Sequence, residues 1–124
     1  MKNFNGSKKI SLKAGTVDAE LYKTILEQDP GLKKLLVEPG LAAYLTSDGT
    51  TVEIYGAGFA FPDYLFMRSN VVVSYKVDDL EQMVGGLIHQ GARLLGEIEH
   101  VCTSYKYCHL VTPEETVIGI YEQA

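Results

Sequence analysis

The chain repeats itself, and the repeat limits what it can fold into more than any other feature. A shift of 60 residues superposes Val17 on Val77, Asp18 on Asp78 and Gly31 on Gly91. Later in each half a shift of 66 superposes Thr50, Val52, Ile54 and Tyr55 on Thr116, Ile118, Ile120 and Tyr121. The six extra residues are expected as loop length gained between those points. Two copies of one supersecondary unit are therefore expected in a single domain, 1–124, with halves at 10–56 and 71–122 and a linker at 57–70.

Each half has the same grammar. An opening strand (10–17, 71–77) is rich in β-branched residues and runs into a helical pattern. The spacing predicts helices over about 18–28 and 79–90. Their apolar stripes are Val17, Leu21, Tyr22, Ile25 and Leu26 in the first, and Leu80, Met83, Val84, Leu87 and Ile88 in the second. Asp78 with Glu81 three places on reads as a capping box, and Gly31 and Gly91 as helix exits. Gly85 and Gly86 each weaken the second helix by about 1 kcal/mol relative to alanine, unless close packing needs them. Three extended segments follow each helix: 33–38, 41–47 and 51–56, then 92–102, 105–112 and 116–122, with turns at Pro39-Gly40, Ser47-Asp48-Gly49 and Thr112-Pro113-Glu114-Glu115. The fold class expected is α+β, two tandem βαβββ modules sharing a cupped mixed sheet.

Composition removes several functions. A net charge of −5 and scattered lysines, with Lys8 and Lys9 too small a cluster to count, argue against nucleic acid. Residues 1–9 are polar, so no secretory leader is expected there, and no window approaches the ~18 apolar residues of a membrane span. Cys102 and Cys108 make no disulfide framework, which suits reduced thiols in a cytoplasmic protein.

The stretch from Tyr75 through Gly96 (YKVDDLEQMVGGLIHQGARLLG) and the tail TVIGIYE resemble the vicinal oxygen chelate superfamily of glyoxalases, bleomycin-resistance proteins and extradiol dioxygenases. The resemblance covers about Ile10 to Glu122, but Thr112-Pro113-Glu114-Glu115-Thr116 departs from the family's D-P-x-G-N turn. It implies a divalent metal held by up to four side chains, usually from the opening and closing strands of each half, and acting as a Lewis acid. Those positions read Ser11 or Leu12, Glu53, Val72 and Gly119. One donor of four survives where a stable site needs at least three, so no metal and no cofactor are expected. His100, Cys102, Cys108 and His109 lie close in sequence, but alternation sends Cys108 and His109 to opposite faces. The same alternation excludes a Cys108–His109 nucleophilic dyad, and His89 reads as an exposed residue near a helix end.

What remains is aromatic. Alternation puts Glu53 and Tyr55 on one face, Val52 and Ile54 on the other, and by the repeat Gly119 and Tyr121 share the concave face with Glu53. Tyr105, Tyr107 and His109 share a face of their strand, which one being open. Tyr44, Phe59, Phe61, Tyr64 and Phe66 are candidates for the cup's border, for core or for an interface, and Tyr75 reads as core with Val73 and Val77. The candidate ligand-binding residues are therefore Glu53, Tyr55, Tyr121, Tyr105, Tyr107 and His109, with no catalytic residue assigned. The expected function is metal-free binding of a flat drug or metabolite, a cation being among the candidates; the resemblance also implies a homodimer. The alternatives are a metal-dependent lyase, isomerase or dioxygenase of the glyoxalase type and a ligand-sensing interaction module.

Overall fold

β1 (Phe4–Lys13) passes through Gly15 into α1 (Thr16–Leu26), and β2 (Lys33–Glu38), β3 (Leu41–Leu45) and β4 (Thr51–Tyr55) complete the first half of the computed structural model. The second half repeats that order as β5 (Val71–Val77), α2 (Leu80–His89), β6 (Arg93–Cys102), β7 (Tyr105–Val111) and β8 (Val117–Gln123). The structure describes residues 3–56 and 61–123. Their strands form one mixed sheet in the order β2-β3-β4-β1-β5-β8-β7-β6. β1 runs parallel to β4 and β5 parallel to β8, pairings that need the long crossovers each helix begins. An antiparallel seam between β1 and β5, with Ser11 opposite Val72, joins the halves. The α+β class and the tandem βαβββ plan are both present. Among the described residues no helix is long and apolar enough to cross a membrane.

Pairing corrects the repeat. Ser11 lies opposite Glu53 and Ser74 opposite Gly119, so the opening strands are offset by 63 residues, and Ser11 corresponds to Ser74. Val17 sits inside α1, not at the end of a strand. The offset of 60 returns at Gly31 and Gly91 because the passage from helix to next strand is shorter in the second half. It then grows to 66 because β6 and β7 are longer than β2 and β3, so the extra residues are strand and not loop. Asp79, one residue later than expected, caps α2 by accepting a hydrogen bond from the Gln82 N–H. The Asp78 N–H is held by Asn3 instead. Gly91 has the left-handed φ of +105° foreseen for a helix exit. At Gly31 the need is space: a Cβ there would lie 2.8 Å from the Ser47 Cβ.

Two apolar clusters lie between sheet and helices. Leu80 and Val84 of α2 pack with Val77, Cys108, Leu110 and Ile120, and Met83, Leu87 and Tyr75 close in around them. Leu80 and Leu110 are fully buried, each stabilising the fold by about 1.5–3 kcal/mol. Under α1 the cluster is Leu12, Val52, Ile54 and Tyr44, covered by Ala19, Tyr22 and Leu26. Tyr44 is thus core and not cup border. Val17, Leu21 and Ile25, read as part of the buried stripe, form the neighbouring helical row and are exposed, because the row Ala19, Tyr22, Leu26 meets the sheet. A third cluster, Leu65, Phe66, Val72 and Val117, fastens the linker across one end of the concave face.

Candidate functional site

The face turned away from the helices is concave and encloses a cavity of about 250 Å³. Glu53, Tyr55, Tyr105, Tyr107, His109 and Tyr121 all line it. The face of β7 left open by the sequence is settled by packing: Cys108 and Leu110 lie in the core under α2, so Tyr105, Tyr107 and His109 face the cup. Lys9, Ser11, Ser74, Pro62 and Leu65 also line it, and none of these was among the candidate ligand-binding residues.

Lys9 is the residue the sequence reading missed. Strand alternation sends Ile10 and Leu12 toward α1, hence Lys9 and Ser11 into the cup. The Lys9 Nζ stands 4.0 Å from Glu53 Oε2 and donates a hydrogen bond to the Tyr105 hydroxyl. It also lies 4.9 Å from the centroid of the Tyr121 ring and 5.2 Å from that of Tyr105, within cation–π range of both. The two rings are nearly parallel, at 18°, with centroids 6.1 Å apart. Burial alone would push the Lys9 ammonium to lose its proton. Glu53 and Tyr105 outweigh burial and hold the lysine above its ordinary value, so it stays charged.

Glu53 is equally well held. Its Oε1 accepts hydrogen bonds of 3.1 Å from both the Ser11 and the Tyr55 hydroxyls. Burial, then the Glu53 charge, pushes the Tyr55 hydroxyl well above the usual tyrosine range, so it acts as a donor at any ordinary pH. The Tyr55 ring packs edge-on against Phe61 and Phe66. A row of facing residues runs beside this centre: Lys9, Ser74, Gly119 and His109 are cross-strand neighbours in turn. Gly119 leaves room that Ser74 fills, since a Cβ there would lie 2.0 Å from Ser74 Oγ. Burial, then Lys9, pushes His109 down to about 4, and its Nδ1 is buried with no hydrogen-bond partner among the described residues.

The residues present do not fit the metal that the resemblance implies. In the observed register the four positions are Ser11, Glu53, Ser74 and Gly119, so Ser74 replaces Val72, which belongs to the apolar cluster with Leu65 and Phe66. Glu53 alone offers a strong donor, and a cation, Lys9, already flanks it. No ligand-bearing side chain has space at position 119.

The other chemistry-bearing residues are scattered. Cys102 is exposed near the β6–β7 turn, Cys108 is buried on the helix side, and His100 and His89 are exposed, so no zinc cluster forms from them. Among the described residues one carboxylate group gathers, Asp79, Glu81 and Glu122. Lys106 Nζ sits among them, 2.8 Å from each Glu81 oxygen and 3.7 Å from Glu122. Tyr64 rests beside His109, with ring centroids 5.8 Å apart. Phe59 lies outside the described residues.

No protein-family model matches the chain, and no curated protein does. Solved structures do match. A glyoxalase/bleomycin resistance protein/dioxygenase superfamily member from Vibrio splendidus 12B01 aligns over 94% of this chain and 97% of its own, with 16% identity and a TM-score of 0.59. Methylmalonyl-CoA epimerase from Mycobacterium tuberculosis aligns over 98% and 88%, with 18% identity and a TM-score of 0.56. The NAD-dependent benzaldehyde dehydrogenase from Legionella pneumophila aligns over 94% and 99%, with 11% identity and a TM-score of 0.63. Proteins this different in activity share with the chain a fold, not a function.

Proposed function

We propose that this chain, which has the vicinal oxygen chelate fold of the glyoxalase/bleomycin-resistance/dioxygenase superfamily, is a metal-independent binding protein for a flat drug or metabolite. The observation that carries this reading is Lys9. Its ammonium stands beside Glu53, where a metal-dependent relative would need the carboxylate for its ion. With one strong donor among the four positions and a crowded Gly119, the cup lacks the ligand set that the resemblance implies but has a ring-lined cavity. A cationic ligand, among the sequence expectations, would have to displace Lys9 from Glu53 and from two tyrosine faces. A neutral ligand meets no such competition.

Binding in a cytoplasmic homodimer belongs to the same proposal. The exposed row Val17, Leu21 and Ile25 on α1 is apolar surface of the kind such pairing covers. The test is a thermal-shift screen of flat aromatic compounds, run with and without EDTA. A ligand at 100 times its Kd should stabilise the fold by about 2.7 kcal/mol. The expected result is a shift unaffected by EDTA and abolished in Tyr121→Ala. A shift that needs metal, or that survives both Tyr121→Ala and Tyr55→Ala, contradicts the reading.

A further inference from the structure

We infer that the cup selects neutral rings carrying a hydrogen-bond donor and an acceptor on adjacent atoms, a flat lactam being the simplest, with Lys9 and Glu53 as the specificity-determining residues. This rests on the reading of the cup as a small-molecule site and names the class of molecule it takes.

An ammonium has three N–H donors, and the Tyr105 hydroxyl takes one from Lys9. Glu53 Oε1 accepts from Ser11 and Tyr55, while no hydrogen bond reaches Oε2 from the described residues. The 4.0 Å between Lys9 Nζ and Oε2 is too long for a hydrogen bond. Both side chains line the cavity and are about one-fifth exposed, at 18% and 19%. A spare donor and a spare acceptor therefore stand side by side, a spacing that the neighbouring C=O and N–H of a ring can bridge with two near-parallel hydrogen bonds.

Charge narrows the class further. A carboxylate ligand would satisfy Lys9 but face Glu53; a cation would satisfy Glu53 but face Lys9. Either leaves like charges close together in a partly desolvated site. A neutral donor–acceptor edge satisfies both partners and adds no net charge. The Tyr121 ring, Pro62 and Leu65 supply apolar surface for the rest of a flat molecule.

The experiment is calorimetric titration of the full chain with four probes: quinolin-2(1H)-one, its N-methyl derivative, naphthalene-2-carboxylate and N-methylquinolinium. The lactam should bind about tenfold or more tighter than the N-methyl derivative, which cannot donate to Glu53, and tighter than either ion. Lys9→Met should weaken the lactam by a similar factor, with circular dichroism checking the fold. If that variant does not fold, the wild-type comparison of lactam with N-methyl lactam still decides. Equal affinities for those two, or preference for an ion, would overturn the inference and leave the cup as a binding site. Failure of all four probes would overturn it as well, while the screen with Tyr121→Ala judges the cup separately.

Discussion

A methyl group at position 119 probes the packing of the cup through stability alone. Built on the backbone of β8, that Cβ would lie 2.0 Å from Ser74 Oγ, 2.8 Å from Ser74 Cβ and 3.3 Å from His109 Cδ2. Rotating Ser74 moves its hydroxyl but not its Cβ, and the parallel pairing holds Ser74 opposite Gly119. Part of the overlap must therefore be relieved by moving a strand. Overpacking of this kind costs about 1–3 kcal/mol, so Gly119→Ala should lower the Tm by several degrees, at about 4 °C per kcal/mol for a chain this size. Ser74→Gly removes both offending atoms and by itself costs about 1 kcal/mol as a glycine in a strand. The two changes should compensate: the double variant should be more stable than the sum of the single effects allows by about 1–2 kcal/mol. Urea unfolding midpoints with unchanged m-values measure the cycle. Additivity within about 0.5 kcal/mol, or a neutral Gly119→Ala, would refute the claim that Ser74 fills the space a ligand-bearing side chain would need.

Other expectations concern the rest of the molecule. Gly85 and Gly86 lie on the exposed side of α2, and a Cβ at either meets nothing within 4 Å. Gly85→Ala and Gly86→Ala should each raise unfolding free energy by about 0.5–1 kcal/mol; a loss in either would mean an unseen contact. His109 takes up its proton near pH 4 in the folded chain but near 6.5 when unfolded, so the unfolded state holds more protons between those values. Stability should therefore fall as pH drops from 6.5 toward 4, and His109→Gln should remove on the order of 3 kcal/mol of that loss, measured as the difference between two urea series. Iodoacetamide should label the native chain once, at exposed Cys102, whose thiol is made more acidic by the Ser104 hydroxyl. Cys108 is buried and its thiol pushed up to about 11, so it should react only on unfolding, and mass spectrometry of native and denatured samples distinguishes the two.

The fold was legible because each half announces its own strands and helix, and because Glu53 and Tyr55 alternate cleanly against Val52 and Ile54. What escaped depends on distances the sequence does not carry. The shift of 60 holds where Gly31 and Gly91 leave the helices, but the second passage out of its helix is shorter, which displaces the opening strands and put Val72 where Ser74 stands. On α1 two apolar rows compete, and only the meeting with β3 and β4 selects Tyr22 and Leu26 over Leu21 and Ile25. Tyr44 has the same aromatic character as the cup residues and lies on the opposite face. Lys9 reads in sequence as part of a small cluster with Lys8, although its alternation with Ile10 and Leu12 places it on the face of Ser11. Its partnership with Glu53 and Tyr105 joins β1, β4 and β7, and no local pattern shows that.

Elemental analysis is the most direct test of the central claim, that the charged centre of the cup is made by Lys9 and Glu53 and not by a bound ion. The protein should be purified without chelators or a metal-affinity tag and analysed for zinc, nickel, manganese and iron beside Glu53→Ala. The prediction is metal far below one equivalent in both. Stoichiometric metal in the wild type that disappears in Glu53→Ala would contradict it.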